Sequence, residues 1–172
     1  MSKLEPILVP YMFSHDHIMT AVKQESSLYA ERKRSETGDV LFDELVFDEE
    51  YLTKFRELFF DAQANVLDRY SPYLNYLPDP PVEIFEEADS EKNIDFTFSL
   101  LMPCDYNHHY NKMVSVKTRE YIEAYIMYRW LETKVPQEAA IYKDRADSVL
   151  IDARAYLEKR IVRRRMIAGN MF

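Results

Sequence analysis

Apolar residues recur every three or four positions along three stretches of the chain, and along a fourth they cover almost every side. Ile18, Val22 and Tyr29 fall on one side of a first helix. Ser14 can cap it, Asp16 suits its first turn, and it is expected to end near Arg34. Asp48, followed by Glu49 and Glu50, is the best N-cap in the chain. Behind it Leu52, Phe55, Phe59, Ala62, Val66 and Tyr70 mark a second helix, closed by Ser71-Pro72 because the residue before proline avoids the helical region. Residues 118–134 are apolar nearly all round, with Tyr121, Ile122, Ala124, Tyr125, Ile126, Met127, Tyr128, Trp130 and Leu131. Such a helix must be covered on most faces, by its own chain or by a neighbouring one. Val135-Pro136 breaks it, and proline is well placed at the first position of the next helix. There Ala139, Tyr142, Ala146, Val149, Ala153, Leu157 and Ile161 form one stripe, predicting a helix from Pro136 to about Met166.

Between the two helical pairs the period changes. Ile94, Phe96, Phe98 and Leu100 alternate with Asp95, Thr97 and Ser99, the pattern of a strand buried on one face. Val82-Glu83-Ile84-Phe85 can be its antiparallel partner across residues 86–93. A lone two-stranded ribbon needs something to pack on. Pro78, Pro80 and Pro81 form a stiff linker before it. Pro6 and Pro10 keep the first dozen residues extended, giving an arm that carries Ile7, Leu8, Val9, Tyr11, Met12 and Phe13. The expected fold is mainly α. A four-helix bundle-like core carries an inserted β-hairpin and extended N- and C-terminal arms. A single domain covers residues 1–172: arm 1–13, helices within 14–78, hairpin 79–103, helical hairpin 117–166 and tail 167–172.

Composition narrows the chemistry. With 172 residues, one domain is expected, burying roughly 70% of its unfolded surface. Only two glycines are present, and no Rossmann or phosphate-loop motif can be built from them, since those need glycine where backbone approaches phosphate. The one cysteine, Cys104, cannot form an internal disulfide and suits a reducing compartment. The first residues lack the basic start and apolar core of a signal peptide, and no apolar run approaches the roughly 20 residues of a membrane span. A soluble protein made in the cytoplasm is expected.

The net charge of -8 opposes general nucleic-acid binding, but its distribution says more than its sum. Nine acids stand in residues 36–61 and seven in residues 79–95, whereas five bases and no acid follow Glu158. A chain acidic in front and basic behind can pair head to tail with its own copies. The Lys159, Arg160, Arg163, Arg164, Arg165 cluster, with Arg160, Arg163 and Arg164 on one helix side, is the strongest candidate contact. The apolar Met166, Ile167, Met171 and Phe172 that trail it favour a protein partner over DNA.

Other clusters are weaker. His15-Asp16-His17 and Cys104-Asp105-Tyr106-Asn107-His108-His109 carry metal-ligand chemistry without a zinc spacing, and His15 and His17 do not share a helix face. Cys104 with His108 or His109 lacks an oxyanion-type glycine. No carboxylate pair is spaced for acid–base work. Neither a catalytic residue, a metal nor a cofactor is expected.

The run Ala124-Tyr125-Ile126-Met127-Tyr128-Arg129-Trp130-Leu131-Glu132, then Glu138-Ala139-Ala140-Ile141-Tyr142, then Ala146, Leu150 and Ala155-Tyr156-Leu157-Glu158-Lys159-Arg160, resembles the C-terminal helical pair of phage head–tail connector proteins. The helix over 48–70 and the strand over 94–101 look like members from phages and prophages of Bacteroides-type hosts, including crAss-like phages. The resemblance covers residues 15–165 in pattern and order, without a diagnostic motif. It implies a non-enzymatic homo-oligomer, a ring of about twelve copies, in the virion neck between the portal protein and adjacent neck or tail proteins. Phage DNA would pass through it, and no membrane is involved. The proline-rich arm and the His-containing loop depart from the pattern. Two rival classes stand beside it: a small helical DNA-binding or regulatory module using the Arg cluster, and a zinc enzyme using Cys104 and His108.

Overall fold

The computed structural model of the chain describes residues 5–37, 42–75 and 93–161. Its architecture is mainly helical, as the periodicity predicts, and is built round one central helix. In chain order the elements are strand β1 (Ile7–Phe13), helices α1 (His15–Thr37), α2 (Phe42–Leu45) and α3 (Leu52–Tyr70), strand β2 (Phe96–Met102), and helices α4 (Asn111–Leu131) and α5 (Pro136–Leu157). The helix that is apolar all round, α4, is covered by its own chain. Ile122, Ile126 and Leu131 are fully buried, with α1, α3 and α5 packed on it. Helix α5 lies along α4 but makes little contact with α1 or α3, so grooves open on both of its flanks.

The predicted stripes point inward. Ile18, Val22 and Tyr29 of α1 and Phe55, Phe59, Ala62, Val66 and Tyr70 of α3 are all buried, while Leu52 is half-buried. Asp48 does cap, accepting from the Glu49 N–H at 2.6 Å, but it starts a short 3-10 turn (Glu49–Tyr51) that runs on into α3. Ser71-Pro72 ends α3 in a second such turn. Among the described residues no helix is long and apolar enough to cross a membrane.

The partner of the alternating strand differs from expectation. The N-terminal segment is not a free arm: it is β1, and it pairs antiparallel with β2 from Ile7↔Met102 to Phe13↔Phe96. The chain closes a ribbon between segments almost 90 residues apart, not a local hairpin. On the other edge of β2, Leu74 bridges Leu100 and the Asn75 N–H donates to the Ser99 carbonyl at 3.0 Å. The expected partner, residues 82–85, lies outside the described residues. The inner face of the ribbon (Val9, Tyr11, Phe13, Phe96, Leu100, Met102) is buried against the helices. Tyr11 stacks on Phe98 at 5.4 Å, and Phe98 lies 5.9 Å from Tyr70. Pro10 is tolerated because β1 is an edge strand, where a missing N–H costs no ladder bond.

A polar lock fixes the ribbon to the helices. Asp95, just before β2, accepts from the His15 N–H at 2.9 Å and so caps α1 from 80 residues away. Asn93 accepts from Arg56 at 2.8 Å and donates to Asp16 at 3.1 Å. Deeper in, the Tyr70 hydroxyl meets Thr118 Oγ1 at 2.7 Å, and Thr118 donates to the Val114 carbonyl at 2.7 Å. Thr118 has one proton to give, so Tyr70 is the donor to it.

Candidate interaction surfaces

Each end of α4 is assembled by residues from several elements, and acids ring the C-terminal one. At its C-terminal end the segment before α3 folds back on Trp130. The indole Nε1 donates to the Leu45 carbonyl at 2.9 Å, and Phe47 and Tyr51 stand 4.4 and 4.7 Å from the indole ring. Lys134, in the turn after α4, places its ammonium 3.1 Å from the Trp130 ring centroid and 5.6 Å from that of Tyr51, and donates to the Glu44 carbonyl. Burial holds Lys134 well below the ordinary lysine value, at about 8, against the pull of the Glu44 charge. Both rings favour the cation as well and limit that fall. Glu44, Asp48, Glu49 and Glu50 are exposed around this clamp and make the end acidic; Glu49 also pairs with Lys23 at 3.5 Å.

Of the basic candidates, Lys159 and Arg160 are described, and they stand at the opposite end. Helix α5 stops at Leu157, eight residues before Arg165, so the expected helical face of Arg160, Arg163 and Arg164 is not formed at Arg160. The chain leaves the helix and pairs instead with the loop after β2. Arg160 bridges Tyr106, the Asn107 N–H donates to the Lys159 carbonyl at 3.1 Å, and the Ile161 N–H donates to the Asp105 carbonyl at 2.8 Å. Arg160 Nη1 donates to the Leu157 carbonyl at 2.9 Å and Nε lies 3.4 Å from Asp105 Oδ1. Arg160 is therefore a half-buried cap and anchor, whereas Lys159 is exposed. Arg163, Arg164, Arg165, Met166, Ile167, Met171 and Phe172 lie outside the described residues.

The loop candidates do not assemble. His15 is buried, its Nδ1 3.0 Å from Asp16, with its ring edge-on to Phe55 and Phe59; His17 is exposed. Cys104 is half-buried, while His108 and His109 are exposed in a short turn capped by Asn107. Among the described residues no group of three or more His, Cys, Asp or Glu is placed to hold a metal ion.

Surfaces that the sequence does not single out flank α5. On the α3 side a groove of about 480 Å³ is lined by Tyr121, Tyr125, Tyr128, Lys143 and Asp147 among others. On the α1 side a smaller one of about 230 Å³ contains Glu25, Glu123, Tyr142 and Arg145, with Leu28 exposed at its rim. The Tyr142 hydroxyl donates to Glu25 at 2.9 Å. Burial raises the Glu123 carboxyl, opposed by Arg119 and Arg145. Tyr125 and Tyr128 are half-exposed here, which leaves no mark in the apolar run of the sequence. No family model, no curated protein and no solved structure matches this chain.

Proposed function

We propose that the protein is a non-enzymatic subunit of a homo-oligomeric ring, of the kind that joins a phage portal to the tail and lets DNA pass. The observation that carries this reading is the segregation of charge: exposed Glu44, Asp48, Glu49 and Glu50 cluster at the C-terminal end of α4, whereas five bases and no acid follow Glu158 in the sequence. Trp130 and Lys134 sit under the acidic end, and the Lys159–Ile161 anchor sits beside the start of α4 at the other. With 21 residues in α4, the ends stand about 30 Å apart. A polar molecule of this kind offers two unlike surfaces, which a head-to-tail interface requires. Covering of α4 by its own chain removes one motive for assembly, so the argument rests on the ends and on the open flanks of α5. On this reading the basic end meets the portal or the next ring, and exposed acids toward the lumen repel DNA and keep it sliding.

Mass measurement by native mass spectrometry, at several concentrations and salts, with and without residues 159–172 and with and without the portal, tests it. A closed ring, alone or on the portal, is expected. A salt-insensitive dimer that binds duplex DNA through the same tail overturns it in favour of the DNA-binding module.

A further inference from the structure

The groove between α3 and α5 joins open aromatic faces to polar groups of both signs. Along its floor, on α4, Tyr125 and Tyr128 are half-exposed. Their rings stand 6.1 Å apart at 72°, so they offer two faces nearly at right angles. The Tyr128 hydroxyl donates to Glu132 at 3.0 Å, which holds that ring in place. Buried Ala146 and Leu150 add the apolar side of α5. The volume of about 480 Å³ lies within the roughly 300–1,000 Å³ of small-ligand sites.

Polar side chains stand on both rims. Asn65, Asp68 and Arg69 come from α3, Lys143 and Asp147 from α5. The two acids and two bases cancel, in a chain whose net charge is -8. Among the described residues neither Asp68, Lys143 nor Asp147 belongs to an ion pair. Arg69 reaches the rim with its Nε buried and without a hydrogen-bond partner, where such atoms are ordinarily paired.

These features select the occupant. An anion meets Asp68 and Asp147. A cation meets Lys143, whose ammonium already stands 5.9 Å from the Tyr128 ring centroid. A purely apolar segment leaves both rims without partners. What fits is a neutral molecule with C–H faces to lie on tyrosine and hydroxyls round its edge. Each hydroxyl can donate to a carboxylate and accept from an ammonium or guanidinium. We propose that this groove binds a neutral saccharide, a short chain of plain or N-acetylated hexoses. Tyr125 and Tyr128 carry the faces of the sugar rings, Asp68 and Asp147 accept from hydroxyls, and Arg69 and Lys143 donate to them.

This inference stands apart from the ring reading. It uses only the α3 side of α5, and a chain that never forms rings can still bind a sugar there.

Titration of the full chain with maltose, cellobiose, lactose and N,N′-diacetylchitobiose, followed by NMR, tests it. At least one sugar is expected to shift the amides of Tyr125, Tyr128 and Asp147 with a Kd of about 1 mM. These shifts should depend neither on protein concentration nor on salt, since the sugar carries no charge to screen. Tyr125→Ala removes a stacking face and is expected to weaken that sugar about tenfold, whereas Tyr125→Phe should hold it within about twofold. Asp147→Ala, at an exposed position that leaves the thermal midpoint unchanged, is expected to weaken it about fivefold through the lost hydroxyl bond. No shift with any of these sugars at about 20 mM refutes the site, as does binding that survives both Tyr125→Ala and Asp147→Ala. A decaproline peptide that shifts the same amides when no sugar does assigns the groove to an extended polypeptide. Shifts that grow with protein concentration assign it to a second copy, and either result overturns the proposal.

Discussion

Lys134 shows how one residue can pull in two directions. Its ammonium ties the turn after α4 to Glu44 and lies on the Trp130 face, yet burial draws its folded-state value down to about 8 from 10.5. Between those values the unfolded chain keeps the proton that the folded chain has released, so stability rises with pH from about 8 to 10.5. Below pH 8 both states are charged and the full penalty stands. Replacing Lys134 by Met removes the penalty and keeps the packing. Its urea midpoint should gain most over wild type at pH 7 and lose that advantage as pH approaches 10.5; a gap independent of pH would refute the assignment. Asp95 is the second informative residue, because it caps a helix to which it does not belong. Asp95→Ala is expected to cost about 1 kcal/mol in urea unfolding, the usual worth of a cap, and Asp95→Asn to recover most of it.

At the scale of elements, β1 is the segment whose role changes most between sequence and structure. It contributes Val9, Tyr11 and Phe13 to the core, each worth about 1.5–3 kcal/mol when buried. Their sum approaches the whole stability of a typical domain, about 5–15 kcal/mol. Deleting residues 1–13 is therefore expected to abolish the cooperative thermal transition seen by circular dichroism, an outcome that a dangling arm would not produce. The three-and-four periodicity located α1, α3, α4 and α5, with the stripes of α1 and α3 turned inward, and period two located β2; in the stripe of α5, Tyr142 is only half-buried and Ile161 lies exposed beyond the helix. Period two missed β1 because Leu8 and Met12 are as apolar as the inward residues and Pro10 interrupts them, so no alternation is visible. The end of α5 was illegible for a different reason. Glu158, Lys159 and Arg160 favour helix intrinsically, but pairing with Asp105–Asn107 wins, and a contact across 50 residues leaves no local trace. Of the candidate contact residues, Arg160 is held by this pairing with the loop after β2.

Across the whole molecule, burial raises the phenols of Tyr11, Tyr70, Tyr106, Tyr121 and Tyr142, with Tyr70 pushed up to about 12. Their contribution is fully present below pH 10, where both states are neutral, and is lost as pH rises from 10 through 12. Of the 13 tyrosines, these five should ionise only together with the loss of helix, giving a second, cooperative step in the tyrosinate absorbance. The same global view sets the sharpest test of assembly. If the acidic and basic ends meet between copies, reversing one end must weaken the contact and reversing both must restore it, because like charges brought together cost what opposite charges gain. Glu49→Lys with Glu50→Lys lies on exposed positions away from the buried core and gives up only the exposed Lys23–Glu49 pair, so the fold should persist. That variant alone is expected to stay monomeric under conditions where the wild type assembles, as is Arg163→Glu with Arg164→Glu and Arg165→Glu alone. Mixed in equal amounts, each with wild type, they should assemble poorly. Combined in one chain, the five changes should recover assembly with similar salt sensitivity. Failure of the combined variant, with both partial variants folded, would place the interface on the flanks of α5 and not on the two charge clusters.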